Sequence, residues 1–279
     1  TTYIDSIFIY ISENITSNTL ASMYIPVEYN YEYLPANRDL VYIYEEDTAH
    51  ANDYATLLTM VGEFNVDVVS VSDVLATDLT AYDAIVLSRD INSSVDSLLA
   101  AEIDQAHRPV IGMSYGGGRV FDEMLSTDHV TSLNSMGILG NANVVLYQQD
   151  HELYEHPYYL KSFIPADSIV KIDNSIGNRN IYVPASQLDL NLFGRNVESG
   201  LHYLMAQEDT KYFFWGSSSS MDSLTQWGQF LLVNTINYML TQKPLCGDNN
   251  HDGEINVSDV IHEVNYIFLG GHCPHPFEV

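Results

Sequence analysis

Positive charge is scarce in this chain. Ten Lys and Arg residues stand against 37 Asp and Glu, a formal charge of −27 at neutral pH. A surface this acidic repels phosphate backbones and anionic lipid, so no nucleic-acid partner is expected. Cation binding or life in a salty or extracellular medium suits the charge, and so does simple solubility. Long apolar runs are missing as well. No stretch approaches the roughly 18 uninterrupted apolar residues of a membrane helix, so no membrane insertion is expected. No secretory signal pattern opens the chain, and it begins at Thr1 rather than Met, which reads as a processed, mature form. Cysteine is limited to Cys246 and Cys273. Two cysteines that bracket one short unit read as a disulfide in an exported protein; the alternative is two free thiols in the cytosol. Tyrosine, by contrast, is abundant at 20 residues and suits strands and wet interfaces.

Local patterns divide the 279 residues into three parts. Residues 1–36 form a β-rich leader. "YIDSIFIYIS" (Tyr3–Ser12) is strongly β-prone, and "VEYNYEY" (Val27–Tyr33) alternates with period two between Pro26 and Pro35. Residues 37–243 read as an α/β domain. Short apolar runs at Leu40–Tyr44, Val66–Val71, Ala84–Ser88 and Val110–Met113 have the composition of buried strands. Helix patterns lie between them, one N-capped at Asp53 and carrying Leu57, Leu58, Val61 and Phe64, another around Val95–Ala106. Strand–helix alternation at this spacing predicts a flavodoxin-like, doubly wound, largely parallel sheet. A further strand is expected at Asn143–Tyr147. Residues 148–210 read as an antiparallel patch or long loops, with candidate strands at Ile169–Ile172 and Ile181–Val183. Tyr212–Gly216 reads as the last core strand, and Ser223–Leu240 as a long amphipathic helix. Pro244 marks the boundary to a small unit, residues 244–279.

That unit carries the first motif. Asp248, Asn250 and Asp252 supply side-chain oxygens at positions 1, 3 and 5 of a twelve-residue loop. Gly253 provides the sharp turn, Glu254 a carbonyl, Asn256 position 9 and Asp259 position 12. Alternating oxygen donors around one glycine fit a calcium ion, which needs six to eight oxygens. A helix pattern follows (Val257, Val260, Ile261, Val264, Ile267, Phe268) and ends at Gly270-Gly271. "GDNNHDGEINVSDVIHEVNYIFLGG" resembles one half of a type I dockerin, with Asp in place of Glu at position 12. The resemblance implies a calcium-folded module that docks on a cohesin-like partner; a dockerin has two such units, and one is found here.

The second motif is "RPVIGMSYGGG" (Arg108–Gly118). Gly112-Met113-Ser114-Tyr115-Gly116 is a G-x-S-x-G between a strand and a helix, the arrangement that lifts a nucleophile above a sheet edge and beside a helix N-terminus. This stretch resembles the nucleophile elbow of class I glutamine amidotransferase-like domains. The resemblance spans about residues 40–241, and it implies a flavodoxin-like fold with a Cys nucleophile and His and Glu partners after the last core strand. Here the nucleophile position is Ser114, and the partner stretch reads "GSSSSMDSLT" (Gly216–Thr225) without His or Glu. A serine lacking a base is inert. The rival arrangement is a hydrolase using Ser114, Asp189 and His202 in chain order. His151 and His156 sit five apart, a poor spacing for a metal pair. Asn14, Asn92 and Asn256 head glycosylation-type sequons.

Together these features lead to the expectation of an extracellular or cell-surface, calcium-binding, non-catalytic structural or assembly protein, such as a filament subunit. It would associate with itself or with another extracellular protein, its leader adding a strand to a neighbour. The alternatives are a Ser114-dependent hydrolase or amidase, and a scaffold-docking module.

Overall fold

The computed structural model describes residues 3–6, 26–29, 38–92, 97–124, 137–146, 151–160, 164, 168–183, 190–198, 200–208, 210–217 and 220–241. The chain separates into two compact units, Thr1–Ala36 and Asn37–Val279. In the first, β1 (Tyr3–Ser6) pairs antiparallel with β2 (Pro26–Tyr29), Tyr3 opposite Tyr29 and Ser6 opposite Pro26. The leader strand thus finds its partner within its own chain.

The second unit is built on one nine-stranded sheet. Its parallel half holds β3 (Asp39–Tyr44), β4 (Asn65–Ser70), β5 (Ala84–Leu87), β6 (Val110–Met113) and β11 (Tyr212–Trp215), in the spatial order β4-β3-β5-β6-β11. Counting only these parallel strands, that is the 2-1-3-4-5 order of the flavodoxin-like fold. Every residue of β5, β6 and β11 is buried, as expected for strands covered on both faces.

Side-chain alternation along these strands splits the interior into two cores. Leu40, Tyr42, Val86, Ile111, Met113, Phe213 and Trp215 face one side, where α1 (Thr48–Gly62) and α4 (Gln226–Thr241) cover them with Tyr54, Leu58, Leu231 and Ile236. Val41, Ile43, Ile85, Leu87 and Phe214 face the other. There they meet Leu99 and Ile103 of α2 (Ser97–Gln105) and Val120 and Phe121 of α3 (Ser114–Met124). The first helix starts six residues before the Asp53 predicted from sequence. Asp47 is the N-cap and accepts from the His50 N–H at 3.1 Å.

Between β6 and β11 the chain makes four antiparallel strands: β7 (Gly137–Leu146), β8 (Ile169–Tyr182), β9 (Leu190–Asn196) and β10 (His202–Glu208). β10 lies antiparallel to β11, and β9 pairs with both β7 and β10, so the four strands close on one another. The antiparallel patch expected at 148–210 is therefore present and starts earlier, at Gly137. The two candidate strands at Ile169–Ile172 and Ile181–Val183 are ends of one long strand, β8. Among the described residues no helix is long and apolar enough to cross a membrane.

Candidate functional site

The site is built where β6 turns into α3. Ser114 is the first residue of α3 and has φ 49°, in the left-handed region that side chains rarely adopt. A non-glycine residue held there carries on the order of 1–3 kcal/mol of strain and persists only where its surroundings impose it. Two glycines impose it. A Cβ on Gly117 would lie 2.2 Å from the Gly112 backbone, and one on Gly116 would lie 2.1 Å from the Ser88 carbonyl oxygen. The Gly116 N–H donates to the Arg89 carbonyl at 3.0 Å, tying the turn to the end of β5. Ser114 is 1 % exposed, and Tyr115 beside it is 36 % exposed. Tyr115 is the second residue of α3, so its N–H has no intrahelical acceptor.

The neighbouring strand completes the edge. Met113 is in parallel register with Trp215, so Gly216 falls beside Ser114 and Ser217 just past it. Gly216 is pinned on both sides: its N–H donates to Leu204 O at 2.7 Å, and its carbonyl accepts from the Arg179 N–H at 2.9 Å. Ser217 Oγ donates to Asp173 Oδ2 at 2.7 Å, and both residues are fully buried. Asp173 comes from β8 and forms a bridge with Leu224. Beneath the turn, the Tyr42 hydroxyl lies 3.5 Å from Met113 Sδ. Burial raises the Tyr42 phenol far above its ordinary value. Burial also raises Tyr54, helped by the neighbouring Tyr42 and Asp173. Both phenols are neutral at physiological pH. Over the rim, the Arg179 guanidinium sits 5.3 Å from the centre of the Tyr115 ring.

A second strand-to-helix turn lies on the same edge, between β3 and α1. Asp90 accepts from the Glu46 N–H at 2.8 Å and the Asp47 N–H at 2.7 Å. Glu45 accepts from the Asn92 N–H, and Arg89 pairs with Asp47 at 3.3 Å. Burial works against ionisation of Asp90. The nearby Ser88 hydroxyl and the N–H groups of Glu46 and Asp47 outweigh it and hold the carboxyl below its usual range. A carboxylate of the chain itself occupies the N–H groups that a ligand anion would use.

The residues proposed from sequence fare differently. Ser114 stands at the elbow as the motif predicts. His202 opens β10, opposite Tyr182, with β11 between it and β6. Two strand spacings, roughly 10 Å, put it beyond direct hydrogen-bonding reach of Ser114. His151 packs edge-on against Phe193 and Tyr238, and its Nδ1 accepts from the Leu153 N–H at 3.2 Å. His156 lies 3.9 Å from Glu155. Asp189 lies outside the described residues. So do the calcium loop (Asp248, Asn250, Asp252, Glu254, Asn256, Asp259) and both cysteines, Cys246 and Cys273. Among the described residues no cluster of three His, Cys, Asp or Glu side chains is arranged to hold a metal. Three residues at the elbow were not anticipated: Asp173, Arg179 and Ser217. The faint signals were an aspartate inside the apolar strand pattern "IVKID" and a serine just past the last core strand.

No protein-family model and no curated protein matches the chain. Among solved structures, a glutamine amidotransferase from Thermotoga maritima aligns with 74 % of this chain and 99 % of its own at 9 % identity, with a TM-score of 0.48. The glutaminase domain of Trypanosoma brucei CTPS, solved with bound acivicin, aligns with 71 % of this chain and 94 % of its own at 11 % identity, with a TM-score of 0.42. The likeness in each case is one of fold.

Both neighbours are enzymes by name, and the expectation of a non-catalytic structural or assembly protein, such as a filament subunit, is corrected accordingly. The dockerin-like unit lies outside the described residues. Two observations give the physical reason for the correction. The leader strand expected to seek a neighbouring subunit is paired inside its own chain. The elbow keeps a strained backbone, and β8 brings Asp173 to Ser217, just past the residue in register with Ser114.

Proposed function

We propose that Ser114 is the nucleophile of an acyl-transfer site, a hydrolase or amidase that cleaves an ester or amide carbonyl. The observation that carries this reading is the left-handed backbone of Ser114, held by Gly116 and Gly117 at the C-terminal end of β6 in a parallel sheet. Strain of this kind is retained where a side chain must be presented.

Three groups at the elbow support the chemistry. Ser114 Oγ adds to the carbonyl carbon. The base we assign is the Asp173 carboxylate, reached through Ser217 Oγ, which already donates to it at 2.7 Å; the proton passes once substrate binding brings Ser114 Oγ onto Ser217. The carbonyl oxygen, now negative, lies against the Tyr115 N–H and the N-terminus of α3. Collapse expels the alcohol or amine, which takes the proton back from the pair. Water then attacks the acyl-Ser114 bond and regenerates the hydroxyl. The buried, neutral phenols of Tyr42 and Tyr54 add no competing charge beneath the site.

Hydrolysis of p-nitrophenyl acetate tests the assignment. The wild-type chain should release p-nitrophenol in a stoichiometric burst followed by slower turnover. Ser114→Ala should lose the burst and at least about a thousandfold of the rate. Equal rates for the two proteins would assign the reaction to another group.

A further inference from the structure

We infer that Arg179 selects an acyl donor bearing a carboxylate. The inference rests on the Ser114 reading and names the substrate class for that site. Carboxylates are plentiful in a chain with 37 acidic residues and ten Lys and Arg, and Arg38, Arg89 and Lys211 pair with Asp83, Asp47 and Asp104. Arg179, like Arg119 and Arg195, takes no such partner among the described residues; its place at the elbow is what sets it apart. Its guanidinium instead lies 5.3 Å over the ring of Tyr115, the residue that follows Ser114 and forms the exposed lip of the elbow.

That position is fixed by the backbone. The Arg179 N–H donates to Gly216 O at 2.9 Å, and the Arg179 carbonyl lies so close to Gly216 that a Cβ there would be 2.0 Å from its oxygen. The charge is therefore anchored beside the residue that lines up with Ser114. A guanidinium over a ring can still present its planar N–H fork bidentately to an oxyanion. One cation balances one negative charge. Against so acidic a surface this favours a monoanionic carboxylate over a doubly charged phosphate.

The full-length chain provides the test. For the wild type, kcat/KM with mono-p-nitrophenyl succinate should exceed that with p-nitrophenyl acetate by about tenfold. The ratio should fall to near one in Arg179→Gln, survive in part in Arg179→Lys, and shrink with added salt. A second arm needs no turnover: in Ser114→Ala, NMR titration should detect butyrate binding more tightly than butyramide, with the difference lost when Arg179→Gln is added. A ratio near one in the wild type, or a ratio unchanged by Arg179→Gln, overturns the assignment. So does butyrate binding no tighter than butyramide, or not at all. Failure of the Ser114 reading appears separately, as an unchanged acetate rate in Ser114→Ala.

Discussion

Two strand-to-helix turns share one edge of the sheet, and they are finished in opposite ways. At the β3–α1 turn the backbone N–H groups of Glu46 and Asp47 are taken by Asp90, and Asp47 in turn holds Arg89. At the β6–α3 turn the Tyr115 N–H, in the first turn of α3, has no intrahelical acceptor, and the residue before it is bent into a left-handed conformation. The topological switch of a doubly wound sheet ordered 2-1-3-4-5 lies at the first of these, between β3 and β5, where ligands usually bind. Here that place is filled by the chain's own carboxylate, and the proposed nucleophile lies one strand over.

Substitutions should separate the two turns, beginning with the largest effect. Gly117→Ala forces a Cβ to 2.2 Å from the Gly112 backbone. It should cost about 3 kcal/mol or more of stability, read from the denaturant midpoint, because neither backbone can yield without moving β6 or α3. A smaller loss, about 2 kcal/mol, is expected for Ser217→Ala, which removes the buried hydroxyl that donates to Asp173. It should also slow ester hydrolysis, whereas no change at the closed turn should do so.

The closed turn is probed by Asp90→Asn. Its folded carboxyl value is depressed, so its contribution is present above the ordinary carboxylate range and is lost as pH falls through the folded value. At neutral pH the substitution should cost about 1 kcal/mol, a modest figure because Asp90 is partly exposed. Acid titration of both proteins should show the gap closing as pH falls. The smallest effect has the opposite sign. Ser114→Gly relieves the positive φ and should leave the chain equally stable or more stable by about half a kcal/mol, while abolishing turnover. A marked destabilisation there would mean that the serine is kept for packing.

How much was legible in the sequence follows from the same geometry. The five parallel strands were readable because burial on both faces writes continuous apolar runs such as "LVYIY" and "YFFW". Residues 190–208 were left without named strands because β9 carries Gly194 at its middle, and β10 buries Gln207 and Glu208 among apolar neighbours. The start of α1 was misplaced because several Asp and Asn side chains compete as caps. Asp47 prevails where Asp90 fixes the preceding backbone. Ser114 was legible as a motif because its constraints are local, glycines within a few residues. Asp173 and Ser217 are 44 residues apart and meet only through the register of β8 against the end of β11. No local pattern encodes that meeting, so the sequence read as an elbow without an acid.

The most direct test is the mass of the intact protein after exposure to a fluorophosphonate. A single adduct should form on the wild type and map to the peptide containing Ser114. It should be absent from Ser114→Ala and form more slowly on Ser217→Ala. A folded wild-type chain that takes no adduct, or an adduct that persists in Ser114→Ala, would contradict the assignment of Ser114 as nucleophile.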